Sequence, residues 1–216
     1  MGAKDWMLVY TSGDVAAVLR SVPSLDRAAT RDVVERLYRG HRITPREDGS
    51  LDGANPEEGV VLAGCFPGLT IVCTQDAALD HPSLLARPFL EEARGRMLHL
   101  HAMHSAVDWF AYAVWNGDGR LHRSLSLSPD SGVMENLGAP LAFEEPYWAG
   151  LRPVDADDPD DEPYDDEEPY PLPFHPLEMA EDALRHLFGF TYEGRRLDGD
   201  PDPRSVVLAG FTVRAG

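Results

Sequence analysis

Three histidines in one short segment are the residues whose type and spacing come nearest to a metal site. His99, His101 and His104 lie within the sequence His-Leu-His-Ala-Met-His. In an extended strand His99 and His101 would point to the same face, and His104 would join them only if the strand bends. Three imidazoles leave an open zinc position that can activate a water molecule. One hypothesis is therefore a zinc-dependent hydrolase; the alternative is that these histidines line a polar sheet face, each hydrogen-bonded.

The spacing of these histidines resembles the His-x-His-x-Asp-His motif of the metallo-β-lactamase fold. Met103 stands where that motif has its aspartate, and the glycine-rich loop and later ligands of that family have no counterpart here. The sequence also lacks the Gly-x-Ser-x-Gly elbow, the P-loop, the Gly-x-Gly-x-x-Gly fingerprint and the His-Glu-x-x-His motif. The common catalytic motifs therefore give no support to an enzyme.

A second set of residues favours binding. Trp109 and Trp115 fall on one face of a predicted strand, Asp130 lies in a turn-rich segment, and Tyr147 and Trp148 follow in an aromatic stretch. Large aromatic side chains supply much of the energy of protein interfaces, and loops often carry the contact residues. These five residues are our candidate binding residues. The alternative is that the strand is buried on both faces and the aromatic stretch forms a lid over the core.

The charge of the chain limits its partners. It has 216 residues, with 37 acidic and 19 basic side chains and a formal net charge of -18. Nucleic-acid binding depends on basic patches, so we expect no nucleic-acid partner. Ten of the acids lie between Asp155 and Glu168 without a basic residue, which leaves -8 for the rest of the chain. Such a run repels itself and has no apolar surface to bury, so we expect a solvated acidic loop at 154–170.

Hydrophobic patterning predicts a single α+β domain over residues 1–216. We expect a mostly antiparallel sheet of about six or seven strands with three or four helices. The predicted strands are 6–11, 60–65, 69–74, 97–104, 109–115, 120–128 and 205–213. The predicted helices start after Asp14 and at 26–39, 83–94 and 177–188. Residues 41–59 contain many turn signals and are predicted to form a loop.

Two local features make sharper predictions. The turn sequence at 116–119, Asn-Gly-Asp-Gly, predicts a hairpin, in whose second strand Leu125 and Leu127 form a buried face and the intervening serines an exposed one. The Pro-Gly turn at 67–68 would place Cys65 opposite residue 70 and Cys73 opposite residue 62. The two cysteines should therefore be buried and unbridged.

Several longer blocks look like one family of proteins. They are the N-terminal Met-Gly-Ala-Lys-Asp-Trp and the segments 101–111, 124–132 and 171–177. Together they resemble a family of uncharacterised actinobacterial proteins, a domain of unknown function, over the whole chain. The single lysine beside 18 arginines is consistent with that source. The resemblance implies no activity, cofactor or catalytic residue.

These observations favour a non-enzymatic protein-binding or accessory protein without a cofactor. No apolar run approaches the roughly 18–20 residues of a membrane span, and the first residues do not form a secretion signal. We therefore expect a cytoplasmic protein with a protein partner and no membrane contact. The alternative function is the zinc-dependent hydrolase centred on His99, His101 and His104. The sequence gives no basis for an oligomeric state.

Overall fold

A nine-stranded antiparallel sheet is the centre of the computed structural model, which describes residues 2–154, 170–193 and 196–216. The strands are β1 (Lys4–Thr11), β2 (His41–Ser50), β3 (Val60–Phe66), β4 (Leu69–Cys73), β5 (Met97–His104), β6 (Trp109–Trp115), β7 (Leu121–Ser128), β8 (Gly132–Leu137) and β9 (Val207–Ala215). Their order across the sheet is β2-β9-β3-β4-β1-β5-β6-β7-β8. Strand β1 thus lies at the centre, between β4 and β5.

Helices cover both faces of this sheet. The described residues form α1 (Val15–Arg20), α2 (Arg27–Leu37), α3 (Arg87–Glu92), α4 (Glu145–Trp148) and α5 (Pro176–Phe188). Helices α1, α4 and α5 pack on one face, which we call the α5 face. Helices α2 and α3 pack on the other, the α2 face. Because neighbouring residues of a strand point to opposite faces, each central strand contributes to both cores.

Local sequence explains where the helices begin and end. The side chain of Asp14 accepts the backbone N–H of Ala17 at the start of α1, and Asp26 does the same for Ala29 in α2, both at 3.0 Å. Each aspartate satisfies one of the donors that a helix N-terminus leaves unpaired. Helix α5 begins on Pro176 and ends at Gly189, which adopts the left-handed conformation that glycine tolerates best.

The structure confirms the α+β class and the antiparallel sheet, but the predicted number of strands is wrong. The predicted loop at 41–59 contains β2, the predicted strands do not include β8, and both are edge strands. Most of β2 is exposed, and it contains Pro45 and a bulge between Arg46 and Gly49. An edge strand needs no second hydrogen-bonded neighbour and can carry proline, so it shows little of the apolar pattern that identifies an interior strand.

The helix prediction at 83–94 is also too long, and five helices rather than three or four occur among the described residues. Pro82–Leu84 forms a separate 3-10 turn, and α3 starts only at Arg87. Pro88 explains the late start, because proline is favoured in the first turn of a helix and disfavoured in its interior.

The hairpin of β6 and β7 forms as predicted, but its serine face is not exposed. Ser124 and Ser126 are fully buried and Ser128 is nearly so, because the segment around Pro82–Leu84 covers them. The Oγ atom of Ser124 donates to Glu135, which also accepts from Ser83. The alternation of leucine and serine in β7 therefore corresponds to two buried faces, one apolar and one polar, and not to a buried and an exposed face.

The cysteine prediction is confirmed. Cys65 lies opposite Thr70 and Cys73 opposite Leu62, and both thiols are free and buried. The predicted acidic loop at 154–170 lies almost wholly outside the described residues. Organisation as one domain over residues 1–216 stays a prediction. Within the described ranges, no helix is long and apolar enough to cross a membrane.

Candidate functional site

The three histidines of the proposed metal site do not converge. His99 and His101 point to the α5 face, whereas His104 lies against Trp6 on the α2 face. The strand does not bend, so the alternation of side chains separates His104 from the other two. Across the described parts of the chain, no three His, Cys, Asp or Glu side chains form a group that could hold a metal ion. The hydrolase alternative is therefore not favoured.

His101 forms a completely buried pair with Asp5. Its Nδ1 atom lies 2.9 and 3.0 Å from the two carboxylate oxygens of Asp5, and its Nε2 atom lies 3.0 Å from the carbonyl oxygen of Ala180 in α5. A carbonyl oxygen only accepts, so Nε2 carries a proton, and a second proton lies between Nδ1 and Asp5. The pair therefore holds two protons and links the sheet to α5.

Burial and hydrogen bonding explain how the pair keeps those protons. Burial raises the pKa of Asp5 because it disfavours the carboxylate. Burial alone would lower the pKa of His101, but the charge of Asp5 and the hydrogen bonds to Asp5 and Ala180 raise it. His99, which has no such partner, has a pKa lowered to about 4 by burial and by His186. Both His99 and His101 are thus built into the core.

A second buried pair joins Arg123 of β7 to Glu144. Neither side chain is exposed; Nε and Nη2 of Arg123 donate to the two carboxylate oxygens at 2.8 and 2.5 Å. Glu144 also accepts from Tyr112, from Nε1 of Trp148 at 3.0 Å and from the backbone N–H of Leu141 at 2.7 Å. Burial opposes ionisation of Glu144, but these donors hold its pKa below the ordinary value. The carboxylate fastens the 141–148 segment to the sheet.

An open cavity of about 370 Å³ lies on the α2 face, at the end of the sheet where β5 stops and β6 starts. Strand ends contribute Trp6, His104, Trp109 and Ser128, and the connecting segments contribute Ala78, Asp80, Val107, Asp130 and Ser131. We call it the indole cavity, after its two tryptophans. Antiparallel pairing explains the convergence, because alternate strands begin and end at the same edge of the sheet.

The two indoles of the cavity are packed against each other. Their ring centroids are 6.0 Å apart with the planes at 64°, an edge-to-face arrangement. The ammonium of Lys4 lies 4.9 Å from the ring centroid of Trp6. The Nε1 atom of Trp109 is buried and has no hydrogen-bond partner among the described residues. Burial and the charge of Lys4 lower the pKa of His104, which favours its neutral imidazole.

The structure brings together two of the five candidate binding residues, Trp109 and Asp130. Trp115 is buried at the other end of β6. Tyr147 and Trp148 lie in α4, on the α5 face. The hydroxyl of Tyr147 donates to Asp182, and the ring of Trp148 packs on Phe174.

Sequence reasoning did not identify Trp6 and Asp80 as members of the cavity. Trp6 is the third residue of the central strand β1, and Asp80 lies in the segment that follows β4. Their proximity to Trp109 depends on the order β4-β1-β5-β6, in which neighbours in space are distant in sequence. The only sequence signal for Trp6 was that a tryptophan begins the predicted apolar strand 6–11.

Comparisons with known proteins identify a family whose function is unknown. A family model described as "Family of unknown function (DUF6928)" matches residues 5–211. No curated protein matches the chain. No solved structure matches it.

Proposed function

The chain belongs to this family of unknown function, and on that premise we propose that it is a non-enzymatic protein-binding protein whose partner docks over the indole cavity. The observation that carries the proposal is the meeting of Trp109 and Asp130 in one open cavity, together with Trp6 and Asp80. An aromatic centre within a polar rim is typical of the residues that dominate protein interfaces.

The placement of the reactive side chains supports binding over catalysis. A general acid or base must come within hydrogen-bond reach of its substrate. Asp5, His101, Arg123 and Glu144 are completely buried and hydrogen-bonded to one another or to the backbone. Their arrangement serves the packing of α5 and of the 141–148 segment, and a substrate would have no route to them.

The size of the cavity favours an anchoring side chain. Pockets for small molecules commonly measure about 300–1,000 Å³ and enclose most of their ligand. The indole cavity, at about 370 Å³, is at the low end of this range and opens widely to solvent. A single side chain from a larger partner would fill it, with the surrounding turns contacting the rest of that partner.

Site-specific photocrosslinking tests this function. We expect that p-benzoylphenylalanine in place of Val107, which lines the cavity and is 49% exposed, captures a discrete protein in cells of the source organism. The matched control is the same substitution at Val207 in β9, which is 43% exposed and lies several strands away across the sheet. Capture at position 107 and not at 207 supports a docking surface over the cavity.

The outcome also identifies the partner. A crosslinked product of twice the mass of the chain would make that partner a second copy of this chain. Absence of any product at position 107, or equal capture at 107 and 207, contradicts the proposal. A cytoplasmic location, an actinobacterial source and the lack of a nucleic-acid partner stay predictions from the sequence.

A further inference from the structure

The indole cavity is negatively charged at its rim. Asp80 and Asp130 are exposed and come from two different connecting segments. Neither carboxylate has an ion-pair partner among the described residues, and no arginine or lysine is among the described residues that line the cavity. Burial and Lys4 lower the pKa of His104, which disfavours a positive charge on this lining residue. The lining residues themselves therefore carry two negative charges; the ammonium of Lys4 lies beside Trp6 but is not part of the lining.

The aromatic floor of the cavity also attracts cations. The face of an indole ring carries negative electrostatic potential and binds ammonium and guanidinium groups within about 6 Å of its centroid. Trp6 already holds such a group, because the ammonium of Lys4 lies 4.9 Å from its ring centroid. Lys4 is the only lysine of the chain. Trp109 meets Trp6 edge to face and completes the apolar floor.

The buried indole of Trp109 is unfavourable for the stability of the fold. It is 9% exposed, and its buried Nε1 atom has no hydrogen-bond partner among the described residues. An unsatisfied buried donor costs about 1–3 kcal/mol. A phenylalanine or leucine would fill this place without that cost. A guanidinium group offers no acceptor to this N–H, so only the face of the Trp109 ring is available to a cation.

We infer that the indole cavity binds the guanidinium group of an arginine side chain from a protein partner. A guanidinium is planar, stacks on an aromatic ring and pairs with carboxylates through several N–H donors. The cavity offers these features together, as two indoles below and two carboxylates at the rim. The net charge of -18 would also steer a basic segment toward the chain. This inference rests on the proposed protein-binding function and specifies the chemistry of the partner.

Titration with defined peptides tests the inference by NMR. The probes are a short glycine-serine peptide with one central arginine and the same peptide with citrulline, which has nearly the same shape but no charge. The chain has four tryptophans, and each gives one indole N–H signal. We expect the arginine peptide to shift the signals of Trp6 and Trp109 and to leave those of Trp115 and Trp148 unchanged. The citrulline peptide should bind at least about tenfold more weakly.

Variants with matched controls separate the cavity from the rest of the surface. Asp130→Asn should weaken binding of the arginine peptide about twofold to fivefold, since it removes one exposed charge without disturbing the core. Asp118→Asn is the control, because Asp118 lies in the turn at the opposite end of β6. Lys4→Met should strengthen binding, because it removes the positive charge beside Trp6.

A variant of the aromatic floor completes the test. Trp109→Leu should abolish the shift at Trp6, and Trp115→Leu, on the same face of the same strand, should not. Each variant is first checked for a dispersed NMR spectrum. If Trp109→Leu does not fold, the exposed Asp130→Asn variant still decides the question.

The results distinguish this inference from the proposed function. Equal binding of the arginine and citrulline peptides, or shifts spread over all four tryptophans, overturns the inference. If Val107 crosslinks to a partner but the arginine peptide does not bind, the docking function stands and the arginine inference fails. If the peptide binds but nothing crosslinks at Val107, the guanidinium site stands and the docking function fails.

Discussion

Replacing Glu144 with leucine should lower the free energy of unfolding by about 3–5 kcal/mol. The reason is that the guanidinium of Arg123 would remain fully buried without its carboxylate partner. Tyr112 and Trp148 would lose the same acceptor. The measurement is urea unfolding followed by circular dichroism at fixed pH.

Two further variants show whether the loss comes from the unpaired charge. Glu145→Leu is the control, because Glu145 is exposed and adjacent in sequence, and it should change stability by no more than about 0.5 kcal/mol. The double variant Arg123→Met with Glu144→Leu should regain the part of the stability that is lost through the unpaired charge, since buried ion pairs can often be exchanged for apolar packing. A double variant as unstable as Glu144→Leu would show that the loss comes from something other than the unpaired arginine.

Loss of the Asp5 carboxylate should be of similar size. Asp5→Leu removes the group that shares a proton with His101, and we expect the free energy of unfolding to fall by about 3–5 kcal/mol. The pair should also give a pH dependence, because the raised pKa of His101 means that the folded state holds a proton that the unfolded state releases. Its contribution to stability is complete below the unfolded pKa of 6.5 and is lost as pH rises through the folded pKa.

Neighbouring groups define the pH window of this experiment. Burial raises the pKa of Glu181 to about 7. Glu181 therefore also lowers stability as the pH rises, but only up to about that pH. His99 acts in the opposite direction: its contribution to stability increases as the pH rises from its lowered pKa of about 4 to the ordinary 6.5. The buried thiol of Cys73 has a raised pKa and affects stability only above its ordinary value of 9.0. Above about pH 7, as far as the raised folded pKa of His101, this residue should therefore dominate among these core groups.

In that window stability should fall by up to about 1.4 kcal/mol per pH unit. His101→Gln should flatten this slope, whereas His99→Gln, on the same strand and face, should leave it unchanged. Unfolding curves at intervals of half a pH unit measure both. An unchanged slope in His101→Gln would mean that the Asp5–His101 pair does not hold the additional proton.

The accuracy of the sequence predictions follows the position of each strand in the sheet. Interior strands such as β6 carry apolar residues on both faces, so their pattern was easy to recognise. No residue of the edge strands β2 and β8 is fully buried, and β2 is mostly polar; neither segment was predicted as a strand. The hydrophobic pattern of a strand reflects which of its faces are packed against other elements, and an edge strand is packed less than an interior one.

The candidate site was predictable only in part, for a related reason. Trp109 and Asp130 were recognised because each has a residue type and a local setting that favour binding. Trp6 and Asp80 complete the cavity through the order of the strands, which local patterns do not determine. The metal hypothesis depended on a bend after Met103, and the continuous pairing of β5 with β1 leaves His104 on the opposite face.

The hydrogen bond from His101 to Ala180 fixes the position of α5 along its own axis. A shift of one helical turn, about 5.4 Å, would bring the carbonyl group of Pro176 or Leu184 to this place, and both residues have a larger side chain than Ala180. His101 would then have to reach its acceptor past that larger side chain, which opposes the shift. The alignment of α5 is thus set by one strand of the sheet. Insertions or deletions in the chain between α4 and α5 should therefore leave that alignment unchanged.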